Sequence, residues 1–202
     1  MLPAMGFEWA YQSGTPPWEI GRAQPAIVRL AEQGVISGSV LDLGCGTGDN
    51  VLHLASLGLD VTGIDASPTA VGRAKAKAAE RGIDATFIEG NALDLAAIRR
   101  SFDVVVDCGL FHVFSDSERV RYEGGLSQIV RPGSRYFLLC FSDRQPGTSG
   151  PRRVSQAEIR GTFFADWRVD SIVPEHFATV GGAPGTGLDE AEAWLASLTR
   201  VG

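Results

Sequence analysis

The sequence predicts an α/β fold: a doubly wound, mostly parallel sheet with helices on both faces. Short apolar runs at 39–43, 60–65, 85–89, 102–107 and 136–141 alternate along the chain with longer segments of helical period. Val104-Val105-Val106 and Phe137-Leu138-Leu139 are apolar without interruption, as strands buried on both faces require. These runs give way to glycines, carboxylates or small polar residues, and an open α/β sheet gathers its ligands outside the carboxyl ends of its strands.

Composition narrows the class. The chain of 202 residues is long enough for one well-filled core, so a single domain over 1–202 is expected, without internal repeats or low-complexity segments. A net charge of −6 and a pI near 5.1 give no general attraction to nucleic acid or to an anionic membrane. There is neither an apolar span long enough for a bilayer nor a signal-peptide pattern, so a cytoplasmic protein with a small-molecule partner and no obligate protein partner is expected. Cys45, Cys108 and Cys140 are odd in number and lack CxxC spacing, which indicates buried thiols and no metal site.

Residues 1–23 are rich in aromatics, Pro and Gly and read as an irregular arm. Trp9 and Tyr11 suit packing on the outside of the core. Pro16 and Pro17 stiffen the approach to Trp18 and Gly21 frees its exit, which suits a lid carrying an aromatic over a pocket. A helix follows from Pro25 to Gly34. The run at 39–43 then breaks into Gly44, Gly46 and Gly48 and a second helix, a backbone that a ligand can approach closely and whose free N–H groups point at it. A tight turn without ligand is the bland alternative for these glycines. Asp65 ends the second run roughly 20 positions after Gly44, the spacing at which an acid meets ribose hydroxyls. A helix-capping role for it is less needed, because Ser67-Pro68 already starts the next helix, which runs to Arg81 with Gly82 as its stop.

Asn91 follows the third run and suits either an adenine edge or a turn. The fourth run ends at Asp107 and Cys108. His112 beyond it is either a general base or a core histidine between Phe111 and Phe114. Capping boxes at Ser115–Glu118 and Ser155–Glu158 open two further helices, the first ended by Arg131-Pro132-Gly133. The polar 143–154 loop leaves the same edge as the glycines and is a candidate substrate lid; Arg152 and Arg153 either face the substrate or are solvated. Residues 167–173 alternate like a strand, and 191–200 fit helix or strand.

Leu41-Asp42-Leu43-Gly44-Cys45-Gly46-Thr47-Gly48 resembles motif I of the class I S-adenosylmethionine (SAM)-dependent methyltransferases. Pro17-Trp18-Glu19-Ile20-Gly21 is similar to the segment before the first helix in their thiopurine and halide/thiol group. The resemblance covers nearly the whole chain. It implies a Rossmann-like sheet of seven strands with the last antiparallel, so that 191–200 becomes a strand, and it implies SAM as cofactor. The residues it assigns to that cofactor are Trp18, Gly44, Cys45, Gly46, Gly48, Asp65 with Ala66, the turn at Asn91 and Ala92, and the backbone near Asp107 and Cys108. The implied reaction is methyl transfer to oxygen or sulfur of a small, largely apolar molecule, under a roof of Trp18, Phe111 and Phe114. A nicotinamide-dependent oxidoreductase is disfavoured by Asp49, which stands where the dinucleotide fingerprint needs glycine beside pyrophosphate. A protein that binds SAM without catalysis is the other alternative.

Overall fold

The computed structural model describes residues 4–148, 150–181 and 189–202. The first three residues of the arm and Ser149 of the 143–154 loop therefore lie outside the described residues. The apolar runs become β1 (Ser39–Leu43), β2 (Asp60–Asp65), β3 (Thr86–Glu89), β4 (Phe102–Cys108) and β5 (Val130–Phe141), all paired in parallel. β6 (Trp167–Ala178) and β7 (Glu190–Arg200) complete a seven-stranded sheet in the order β3-β2-β1-β4-β5-β7-β6, and β7 runs antiparallel to both of its neighbours. The ambiguous 191–200 segment is thus a strand.

α2 (Pro25–Glu32), α3 (Asp49–Ser56) and α4 (Pro68–Arg81) cover one face, where Ile27, Leu30, Val51, Leu54, Val71 and Ala74 pack on Val40, Val104 and Phe137. α5 (Asp116–Ile129) and α6 (Gln156–Thr162) cover the other, with Tyr122, Leu126 and Ile159 against Val105, Tyr136 and Leu138. Both capping boxes form, each serine accepting from the N–H three residues on while that glutamate accepts from the serine N–H.

Three boundaries differ from expectation. The arm contains a helix, α1 (Ala4–Ser13), which accommodates Gly6; Gly14, Pro16, Pro17 and Gly21 all follow it. Contacts to α4 hold α1: Glu8 accepts from Ser67 Oγ and from Thr69 N and Oγ1, and Arg73 donates to the carbonyls of Tyr11 and Gly14 at its carboxyl end. β5 begins at Val130, ahead of Tyr136. Phe102 pairs with Val130 and Val104 with Arg135, so Pro132 sits in a bulge where its missing N–H breaks no ladder. β6 continues through Pro174 because it is the edge strand.

The strand order reverses between β1 and β4. Leu43 lies beside Asp107 there, so the glycine loop and Cys108 leave the sheet side by side. Asp107 fastens this point. Its Oδ1 accepts from Leu110 N (2.9 Å) and Phe111 N (3.2 Å), and its Oδ2 from the hydroxyls of Tyr122 (2.6 Å) and Tyr136 (3.0 Å). Burial nevertheless lifts the carboxyl from an ordinary 3.8 to about 6, because the four donors only partly replace water. The folded state then holds this proton more tightly than the unfolded chain. The resulting stabilisation is complete below 3.8 and is lost as the pH rises through about 6. Asp107→Asn preserves the four contacts, its oxygen accepting from the two amides and its NH2 donating to the two phenol oxygens. In thermal melts across the acid-to-neutral range, this variant should gain on the parent by roughly 3 kcal/mol through that window. A difference that does not vary with pH would mean that Asp107 titrates as an ordinary carboxylate.

Candidate cofactor and acceptor site

β1 ends in a loop whose Gly44, Gly46 and Gly48 all have left-handed backbones, with φ of 70°, 54° and 84°. A Cβ on Gly48 would fall 2.6 Å from the Phe87 ring, and one on Gly46 would fall 2.6 Å from Glu19 Oε1 and 2.7 Å from the Tyr11 hydroxyl. Gly44 N and Cys45 N both donate to Ile64 O, tying the loop to β2.

Asp65 closes the second side. Its Oδ2 accepts from Gly46 N and its Oδ1 from Ser67 N, each at 2.8 Å, so each oxygen keeps a further lone pair. Ser67 caps α4 by accepting from Ala70 N, which leaves Asp65 clear of that duty. Burial raises the Asp65 carboxyl despite these donors. Gly90 N donates to Asp65 O, so exposed Ala66, Asn91 and buried Ala92 share one corner with it. Asn91 Oδ1 accepts from Leu93 N, an Asx turn, so the turn role is realised and its NH2 group lies at the surface.

The arm lies against the loop. Thr47 N donates to Glu19 Oε1 (3.2 Å) and Thr47 Oγ1 to Glu19 Oε2. Tyr11, buried to 2 %, donates to Glu19 Oε1 at 2.8 Å and accepts from Trp18 Nε1 at 3.0 Å. Trp18 stands edge-on to Phe7 and Tyr11 and is 43 % exposed, whereas Trp9 faces outward.

Three readings need correction. Asp49 does not face the loop's ligand side as an unpaired charge; Lys77 Nζ holds it at 2.7 Å and Arg81 at 3.6 Å. Phe111 and Phe114 do not roof a pocket. They are core residues, packed on Tyr122 and, for Phe111, on Phe163. Arg152 pairs with Asp116 and Glu158, and Arg153 donates to the carbonyls of Gln145, Pro146, Gly147 and Pro151, so both arginines brace the 143–154 loop.

His112 matches the core alternative more closely than the base. Its Nδ1 accepts from Phe141 N at 3.1 Å, and burial together with the positive Arg119 and Arg153 pulls its pKa down to about 3. The Cys45 and Cys108 thiols are raised by burial, so neither is a ready nucleophile. Among the described residues no group of three or more His, Cys, Asp and Glu side chains converges on a metal position. No helix there is long and apolar enough to cross a membrane. A cleft of about 640 Å³ beside Ser39, Arg99, Asp103 and Arg131 lies at the opposite, amino-terminal edge of the strands and shares no residue with this site.

Two acids emerge that the motif reading gave no role. Asp42 is 1 % exposed among Val40, Leu41 and Leu43, and neither of its oxygens has a hydrogen-bond partner. Burial and the nearby Asp107 and Asp65 raise its carboxyl far above the usual range; the Asn50 side chain offsets this in part without meeting hydrogen-bond geometry. An orphaned buried carboxylate is an acceptor waiting for a cation. Glu19 is the second acid. A carboxylate inside an apolar run, and one directly after Trp18, are the sequence signals for the pair.

Asp42, Asp65 and Glu19 therefore concentrate acidic groups at a glycine-rich turn, the reverse of what a pyrophosphate needs and what a zwitterionic, net-positive cofactor with ribose hydroxyls suits. This fold and site define a SAM-dependent methyltransferase, and the chain belongs to that family. Residues 40–133 match the family described as "Methyltransferase domain". The chain is 38% identical over 162 residues to the 2-heptyl-1-hydroxyquinolin-4(1H)-one methyltransferase of Mycobacteroides abscessus, spanning 79% of this chain and 71% of that one. It is 28% identical over 198 residues to a probable thiol methyltransferase of Arabidopsis thaliana, spanning 96% and 86%. A solved structure concerned with converting a disulfide bond into a thioacetal group during echinomycin biosynthesis superposes with a TM-score of 0.89 at 35% identity, covering 98% of this chain and 93% of the other.

Asp42→Asn removes the unpaired carboxyl, the group that a bound cation would hold in its ionised form. Calorimetric titration with SAM should show roughly ten- to hundredfold weaker binding, the loss of one charge-assisted bond of about 1.5–3 kcal/mol, while the ligand-free protein melts no lower than the parent at neutral pH. Unchanged SAM affinity would take Asp42 out of the site.

Proposed function

We propose that this methyltransferase acts on an oxygen or sulfur of a small, largely apolar acceptor. The observation that carries the reading is the commitment of His112 Nδ1 to the Phe141 amide, in a buried aromatic cluster of His112, Phe141 and Phe177. The His112 and Phe141 rings lie 5.0 Å apart and Phe141 and Phe177 5.5 Å apart, an apolar backing against which a flat or apolar molecule would rest. With its basic nitrogen occupied, the histidine does not serve as proton acceptor, so the acceptor's own proton must be acidic. Thiols, phenols and N-hydroxyl groups meet that condition. Two relatives are named for substrates of this kind, a hydroxyquinolone and a thiol.

SAM, when bound, supplies a methyl carbon made electrophilic by its sulfonium. The chain's part is to bind and orient. Asp65 would receive ribose hydroxyls on its remaining lone pairs, Asp42 the ammonium, and the Asn91–Ala92 turn the adenine, while the Gly44–Gly48 backbone and the chain at Asp107 and Cys108 border the methionine end. Trp18, held over the loop by Tyr11 and Glu19, would cover the site and exclude water. Catalysis by position and dehydration asks for no charged base.

Radiolabelled methyl from SAM should pass into the organic-extractable fraction when the protein is given aromatic thiols, phenols and N-hydroxy heterocycles. Label found only in RNA or acid-precipitable protein would overturn the acceptor class. SAM binding without transfer to any of the panel would favour a binding-only protein.

A further inference from the structure

His112 sits in the 3₁₀ turn Phe111–Val113, directly beyond β4. Because its Nδ1 accepts from Phe141 N, the neutral ring carries its proton on Nε2. That N–H has no partner among the described residues and is not sealed from solvent, although the residue is only 6 % exposed. The ring stands edge-on to Phe141 and to Phe177 at 5.0 and 5.9 Å. Its Cε1, adjacent to Nε2, lies 3.7 Å from where a Cβ on Gly109 would be, and the Phe177 ring lies 3.6 Å from the same point. Gly109, one residue past Cys108, therefore places no side chain beside the Cε1 edge of the ring, where a Cβ would already be in van der Waals contact.

The charged groups acting on the ring are both cations: Arg119 from α5 and Arg153 from the 143–154 loop. The Arg119 guanidinium stacks 4.3 Å from the Phe111 ring centroid, and Nη1 bonds Glu158. Its buried Nε and Nη2 have no partner. Arg153 lies 5.4 Å from the Phe141 centroid. Asp42, Asp65 and Glu19 act on the Cys45 thiol, whereas none of them is among the charges that act on His112. The surroundings of the glycine loop are thus rich in carboxyl groups, and those of the His112 ring hold two guanidinium groups and an N–H of fixed direction.

We propose that His112 is a permanently neutral hydrogen-bond donor that binds the acceptor as its anion, a phenolate, thiolate or N-oxyanion, and that it takes no proton in the reaction. This rests on the acceptor class proposed above. The acceptor's proton leaves to water before or on binding. The anionic heteroatom then forms its bond to the methyl carbon as the bond from that carbon to the sulfonium sulfur breaks, and the electron pair returns to sulfur. Charge and protons balance with the histidine unchanged.

Spectrophotometric titration of 4-nitrophenol bound to the protein in the presence of S-adenosylhomocysteine, which prevents turnover, tests the proposal. The bound phenol should ionise more readily than the free one, its equilibrium shifted about tenfold toward the anion. His112→Phe should abolish the shift. His112→Gln, whose amide can both accept from Phe141 N and donate, should keep part of it. Long-range nitrogen-15 spectra of the unmutated protein serve independently of any variant's folding. They should show an unprotonated Nδ1 and a protonated Nε2 that does not titrate at neutral pH. A bound phenol that ionises like the free one, a shift that survives His112→Phe in folded protein, or a His112 ring that titrates near neutrality would each overturn the proposal. Failure of every protein to bind the phenol would instead overturn the acceptor class, and this inference with it.

Discussion

The four hydrogen bonds converging on Asp107 hold the molecule's working edge in place. They join β4 to the 3₁₀ turn through Leu110 and Phe111, to α5 through Tyr122 and to β5 through Tyr136. A buried carboxylate is expensive unless every lone pair finds a donor, so each of these elements is restricted to the geometry that supplies one. His112 depends on that restriction. It follows Phe111 in the same turn, and its ring meets the Phe141 amide only while turn and strand keep their spacing. The satisfied acid is structural, and the placement of the His112 ring against Phe141 follows from it.

Asp42 is its opposite. One strand away and as deeply buried, it has no partner at all, and Asp107 and Asp65 add repulsion. Such a site destabilises the ligand-free fold, and it persists only where something binds that needs it. Asp65 is intermediate, with one donor on each oxygen and capacity to spare. The unpartnered Asp42 lies on the strand between those of the saturated Asp107 and the half-satisfied Asp65, so three neighbouring strands carry three different degrees of satisfaction.

Most of the frame was legible because it rests on local rules. The strands are apolar runs, the glycines mark left-handed turns, and Ser67, Ser115 and Ser155 cap the helices their neighbours announce. What escaped was decided at long range. The aromatics flanking His112 read as a pocket roof, yet the 3₁₀ turn carries Phe111 and Phe114 into the α5 side of the core, and the rings that meet His112 are Phe141 and Phe177, remote in sequence. α1 carries little helix signal of its own and is fixed by Glu8 and Arg73 across to α4. Asp49 read as a ligand-facing charge because nothing in sequence places Lys77 beside it. Glu19 gave no sign that its partners would be Thr47 and Tyr11, at separations of 28 and 8 residues.

The tautomer of His112 has a consequence for how such a site can evolve. A histidine used as a base must expose its unprotonated nitrogen to the acceptor, and its pKa must lie near the working pH. Here that nitrogen is spent on a backbone amide, and burial, reinforced by two arginines, lowers the pKa to about 3. Turning this ring into a base would require the Phe141 amide to find another acceptor and the Arg119 charge to be withdrawn. Arg119, however, is anchored by Glu158, which also closes the capping box of α6 and receives Arg152. A change of chemistry at His112 would therefore propagate into a helix terminus and a loop brace. Under the proposed reading, exchanging one acidic acceptor for another leaves this network untouched, while a shift to acceptors that need deprotonating disturbs it.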